Sequence, residues 1–69
     1  MKNGNTITLT YATNISIETV VGKYKGIEIL PNLVDMGNTQ NIVLIHIEVD
    51  KVTHIYINTN NVVRITESR

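Results

Sequence analysis

A chain of 69 residues, without cysteine and with six basic residues matched by six acidic ones, makes one small domain spanning 1–69 at a formal charge of zero. Disulfides and the cysteine-based zinc arrangements are closed to it, and the charge balance excludes the basic excess on which duplex-DNA binders rely. So short a chain buries only roughly 60% of the surface its unfolded form exposes, which leaves idealised packing or self-association to supply stability.

The apolar residues are of one kind: eleven Ile and eight Val against four Leu, with no Phe and no Trp. Side chains branched at Cβ lose rotamer freedom in a helix and fit the pleated face of a strand. Nine threonines strengthen that bias, while nine asparagines and four glycines supply turns. The composition predicts an all-β domain, a small, strongly bent antiparallel barrel of five or six strands.

In chain order, "MKNGN" carries polar residues where a secretion signal needs its apolar stretch, and no run reaches the length of a membrane span. A cytoplasmic protein without a membrane partner is expected. "TITLTY" (6–11) alternates strictly and puts Ile7, Leu9 and Tyr11 on one face. "ISIETVV" (15–21) puts Ile15, Ile17, Thr19 and Val21 on one face and stops at Gly22. "KYKGIEIL" (23–30) changes phase at Gly26, the mark of a bulge that bends the strand. "PNLVDMGNTQN" (31–41) has turn chemistry and predicts a loop with a short helical turn or an apolar flap. "IVLIHIEV" (42–49) is almost continuously apolar, so both of its faces need a cover. Asp50-Lys51 then reads as a two-residue turn into "VTHIYI" (52–57), and Asn58-Thr59-Asn60-Asn61 reads as the tip of a last hairpin into "VVRIT" (62–66).

A two-residue turn fixes a register, with Ile47 opposite His54, Ile45 opposite Tyr56 and His46 opposite Ile55. The last hairpin then sets Tyr56 opposite Val63 and His54 opposite Ile65. One face collects Val43, Ile45, Ile47, Val49, Val52, Tyr56, Val63 and Ile65 as the expected core. The other face is apolar at Ile42, Leu44, Ile55, Ile57 and Val62, and needs a partner surface from the first strands or from another chain.

Little in the chain points to catalysis. In this register His46 and His54 lie on opposite faces and share no metal, and the six carboxylates show no close spacing for an acid–base pair. Neither a phosphate loop nor a nucleophile elbow is present. The expectation is a protein with no catalytic residue, no metal and no cofactor. Tyr24, between Lys23 and Lys25, reads as exposed: "GKYKG" either stacks a base between two cations or is an edge strand guarded by lysines.

The order of "GKYKG" (22–26), "DMGNTQNIVL" (35–44) and "INTNNVVRI" (57–65) resembles the two motifs of the Sm/LSm proteins over about forty C-terminal residues. The chain departs from them at Asn58-Thr59, where the family has Arg-Gly, and in a longer stretch between Gly26 and Asp35. The resemblance implies a bent five-stranded barrel whose edge strands pair with neighbouring subunits into a ring. It also implies RNA-contacting loops at Asp35, Asn38 and Asn41 and at Asn58, Asn60 and Asn61. An SH3-like barrel fits the same strands. Two functional expectations follow: a homo-oligomer that binds single-stranded RNA or a nucleotide-like ligand through its Asn-rich loops, or a protein-interaction module that uses an exposed apolar sheet face.

Overall fold

The computed structural model describes residues 1–33 and 39–68, with backbone alone for 31–33 and 39–41. Among them are strands β1 (Thr6–Ala12), β2 (Ile17–Leu33), β3 (Thr39–Glu48), β4 (His54–Asn58) and β5 (Val62–Ser68), with one 3-10 turn at Thr59–Asn61. They form a single antiparallel sheet in the order β4-β3-β2-β1-β5. The domain is all-β, as the composition dictates. The sheet is not closed into a barrel by hydrogen bonds, because β4 and β5 end as its two edges.

The 17 residues of β2 serve two partners in succession. Ile17 to Lys23 pair with β1, and Lys23 to Leu33 pair with β3. Lys23 alone is shared, opposite Thr6 on one side and Glu48 on the other. One layer is therefore β5, β1 and the first half of β2, and the other is the second half of β2, β3 and β4. Ile7 and Leu9 of the first layer and Ile45, Ile47 and Ile57 of the second form one buried cluster with Tyr24.

Two glycines make the bend. At Gly22 a Cβ would stand 2.5 Å from Ile47 Cγ2 and 2.7 Å from the Glu48 carbonyl oxygen, so the close passage of the layers admits no side chain. At Gly26 φ is +116° and the register to β3 shifts, Tyr24 pairing with Ile47 and Gly26 with His46. The bulge expected at Gly26 is present, but Gly22 does not end a strand as its position suggested. Glycine here marks close backbone approach rather than a turn.

The bulge also corrects the reading of Tyr24. It is 6% exposed, because its parity follows Val20 and Gly22, which stand opposite the inward Leu9 and Ile7. The extra residue at Lys25 then lets Ile27 pair with the buried Ile45. Gly4 N–H donates to the Tyr24 carbonyl (2.8 Å) and Tyr24 N–H donates to that of Asn5 (2.9 Å), so the N-terminal turn ties down the bend. The face assigned to Ile15, Ile17, Thr19 and Val21 points outward, and the half-buried Val20 of the opposite parity packs on the core.

Beyond the reach of β1 and β4, β2 and β3 continue as a two-stranded arm, pairing out to Leu33 and Thr39. Strand thus replaces the loop expected over 31–33 and 39–41. The arm helps draw the molecule out to 43 × 26 × 22 Å. Ile29 and Leu30 are exposed on it, and Ile27 is exposed just before it begins.

Overpacking of a tight site costs about 1–3 kcal/mol. Gly22→Ala is expected to lower the unfolding free energy in urea by that amount, while Ile15→Ala, at a residue 95% exposed, should stay within about 0.5 kcal/mol of wild type.

Candidate functional site

The connection between β3 and β4 decides which side chains share a face. It is not the two-residue turn that Asp50-Lys51 suggested. Val49 N–H donates to the Thr53 carbonyl at 2.9 Å, and Asp50 Oδ1 accepts from the backbone N–H groups of both Val52 and Thr53 at 2.9 Å. An Asx-type cap thus closes a longer loop. The register becomes Glu48 to His54, Ile47 to Ile55, His46 to Tyr56 and Ile45 to Ile57, one residue from the expected pairing.

A slip of one residue exchanges the two faces of a strand. Ile57 is buried and Ile55 packs on the core, whereas Tyr56 is 45% and Val52 88% exposed. Val49 and Val63 also leave the expected core for the surface. Val62 packs against the core instead, and Ile65 keeps its expected place there. His46 and His54, expected on opposite faces, lie together on the outer one. His46 Nε2 and His54 Nδ1 are 2.6 Å apart and share a hydrogen bond. Tyr56 stacks on His46 with ring centroids 4.5 Å apart and 21° between planes. Glu48, opposite His54, lies 4.0 Å from the Lys25 ammonium.

The expected last hairpin does not form either. Among the described residues β4 pairs with β3 alone, and β5 crosses to pair with β1, Leu9 standing opposite Ile65. A single 3-10 turn links the two edges of the sheet, which requires the sheet to roll until those edges approach at this end. The Asn58 side chain caps the turn, its Oδ1 accepting from Asn60 N–H at 2.9 Å, and Val62 N–H donates to the Thr59 carbonyl.

Beside this turn is an open hollow of about 310 Å³ lined by Tyr11, Thr13, Asn14, Tyr56, Asn58 and Asn61, among others. Tyr11 comes from the end of β1, Thr13 and Asn14 from the β1–β2 turn, and Tyr56 and Asn58 from the edge strand. Two tyrosines and three asparagines border one concavity. Of the sequence-derived candidates, Asn58 and Asn61 line it, and Asn58 is engaged in its cap. Asn60 is exposed on the same turn, outside the lining. Tyr24 is buried, with Lys23 and Lys25 exposed on either side of it, so its ring is withdrawn from stacking. Asp35 and Asn38 lie outside the described residues, and Asn41 is described only by its backbone pairing with Pro31. Tyr56 escaped sequence reasoning because parity assigned it to the core, whereas Tyr11 does pack against the core as its parity indicated and lines the hollow as well.

Comparison of the chain with protein-family models, with curated proteins and with solved structures finds no match.

Hydrogen bonds donated by Val52 N–H, and next the contact with Thr53, hold the Asp50 carboxyl below its ordinary value of 3.8. A depressed folded-state value means that the cap contributes above the unfolded value and is lost as pH falls through the lower, folded one. The amide resonances of Val52 and Thr53 should therefore titrate with a midpoint below 3.8 in a pH series of ¹H–¹⁵N spectra, and Asp50→Ala should abolish the transition. A midpoint at or above 3.8 would contradict the cap.

Proposed function

We propose that this chain is a non-enzymatic, self-associating binding module of the small-barrel type, Sm-like or SH3-like. Its ligand is single-stranded RNA or a nucleotide-like molecule held at the β4–β5 connection. The observation that carries the reading is the convergence of Tyr11, Tyr56, Asn58 and Asn61 on one hollow. A base offers a π-face to an aromatic ring and donor and acceptor edges to an amide. Such contacts need no large positive charge, in keeping with a formal charge of zero.

Self-association is supported by the two free edges. Among the described residues β4 and β5 each have one side without a strand partner, and unpaired strand edges template pairing with another strand. The exposed Ile29 and Leu30 of the arm, with Ile27 at its base, add apolar surface beyond what a lone small domain usually shows. The same arm favours a second reading, a protein-interaction module that docks another protein on that surface.

Stacking on an aromatic side chain contributes about 1–3 kcal/mol per base, and an amide hydrogen bond about 1 kcal/mol. In fluorescence anisotropy with a short labelled single-stranded RNA, Tyr56→Ala and Asn61→Ala should weaken binding by about those amounts, with the fold retained. Unchanged affinity in both variants would remove the hollow as the site. A wild-type chain that binds no RNA or nucleotide but retains a protein through the arm would favour the second reading.

A further inference from the structure

We propose that His46 and His54 form a two-histidine site for a divalent transition-metal ion of the zinc class, which adjoins the hollow through Tyr56 but does not rest on the reading of that hollow. The case rests on two ring nitrogens aimed at one point. His46 Nε2 and His54 Nδ1 lie 2.6 Å apart on the outer face of neighbouring strands. At that separation one nitrogen donates and the other offers its lone pair, so a single proton occupies the space between them. A metal ion takes the proton's place when the donor ring changes tautomer, its far nitrogen taking up a proton from solvent as the bridging one is released, so that two neutral imidazoles each turn a lone pair to the ion.

The dimensions are close to those required. Two Zn–N bonds of about 2.0–2.1 Å at a tetrahedral angle set the nitrogens roughly 3.3 Å apart, so the rings must part by about 0.7 Å. Both side chains have room for this: His54 is exposed on an edge strand and His46 is half-buried. Tyr56 stacks on the His46 ring and orients its plane. Glu48 stands directly opposite His54 in the register, its carboxylate 4.0 Å from the Lys25 ammonium.

Among the described residues no group of three or more His, Asp or Glu converges, so water fills the remaining positions and the ion exchanges freely. Imidazole suits zinc, copper and nickel. Bound there, the ion bridges β3 to edge strand β4 and does for this cysteine-free chain what a cross-strand disulfide does elsewhere.

The test is a zinc chloride titration of the untagged, metal-stripped full chain by calorimetry, with imidazole ¹⁵N resonances recorded in parallel. One ion per chain is expected, with His46 Nε2 and His54 Nδ1 both shifting. Affinity should fall about tenfold or more in His46→Gln and in His54→Gln, at least the loss that removal of an outer-shell partner brings. Circular dichroism reports folding, and the exposed His54→Gln decides the matter if His46→Gln does not fold. Wild-type affinity in His54→Gln would overturn the proposal, as would a shift at one imidazole alone, binding through the N-terminal amine, or no binding at millimolar zinc.

Discussion

The structure depends on one close approach, that of Gly22 to Ile47 and Glu48 at the bend of β2. A strand that paired with β1 and β3 along one straight course would give a flat sheet with both faces open, and this chain has too few large apolar residues to cover them. Bending β2 where its pairing passes from β1 to β3 folds the sheet onto itself. Ile7 and Leu9 then meet Ile45, Ile47 and Ile57, with Tyr24 among them. A residue larger than glycine at position 22 would hold the layers apart. The same roll brings the two edges near enough to be joined by Thr59–Asn61 alone, and that junction gathers Tyr11, Tyr56, Asn58 and Asn61.

A second constraint acts on top of the first. The Asp50 carboxylate, by accepting two backbone N–H groups, sets the length of the β3–β4 loop and hence the parity of every residue in β4. Ile55 and Ile57 turn inward, and His54 and Tyr56 turn outward beside His46. The surface chemistry of this sheet follows from one side chain's hydrogen bonds rather than from hydropathy along the strand. Burial alone separates the two parities less sharply, since His54-Ile55-Tyr56-Ile57 offers an apolar or aromatic residue at three of its four positions.

Strand content, the pattern of β1 and the bulge at Gly26 were legible in the sequence because they are local: strict alternation of Ile7, Leu9 and Tyr11, and a phase change at a glycine. The rest was illegible for definable reasons. Glycine signals both a turn and a close approach, and nothing near Gly22 distinguishes them until Ile47 is placed against it. Asp50-Lys51 has the composition of a tight turn, but the cap that Asp50 makes reaches Thr53. The chain from His54 to Ile65 has the outward form of a hairpin, yet β5 pairs with β1, a choice made by the roll of the whole sheet. The Asn-rich tip was located from sequence, whereas Tyr56 was hidden by the register, and Tyr11, rightly placed toward the core by parity, gave no local sign that it also lines the hollow.

The bend of β2 is tested most directly by nuclear Overhauser effects in the full chain. Cross-peaks are predicted from the Gly22 Hα protons to the Ile47 Cγ2 methyl, and from the Lys23 backbone to both Thr6 and Glu48. Their absence, with Lys23 paired on one side only, would mean that β2 breaks at Gly22 into two separate strands, and would contradict the account.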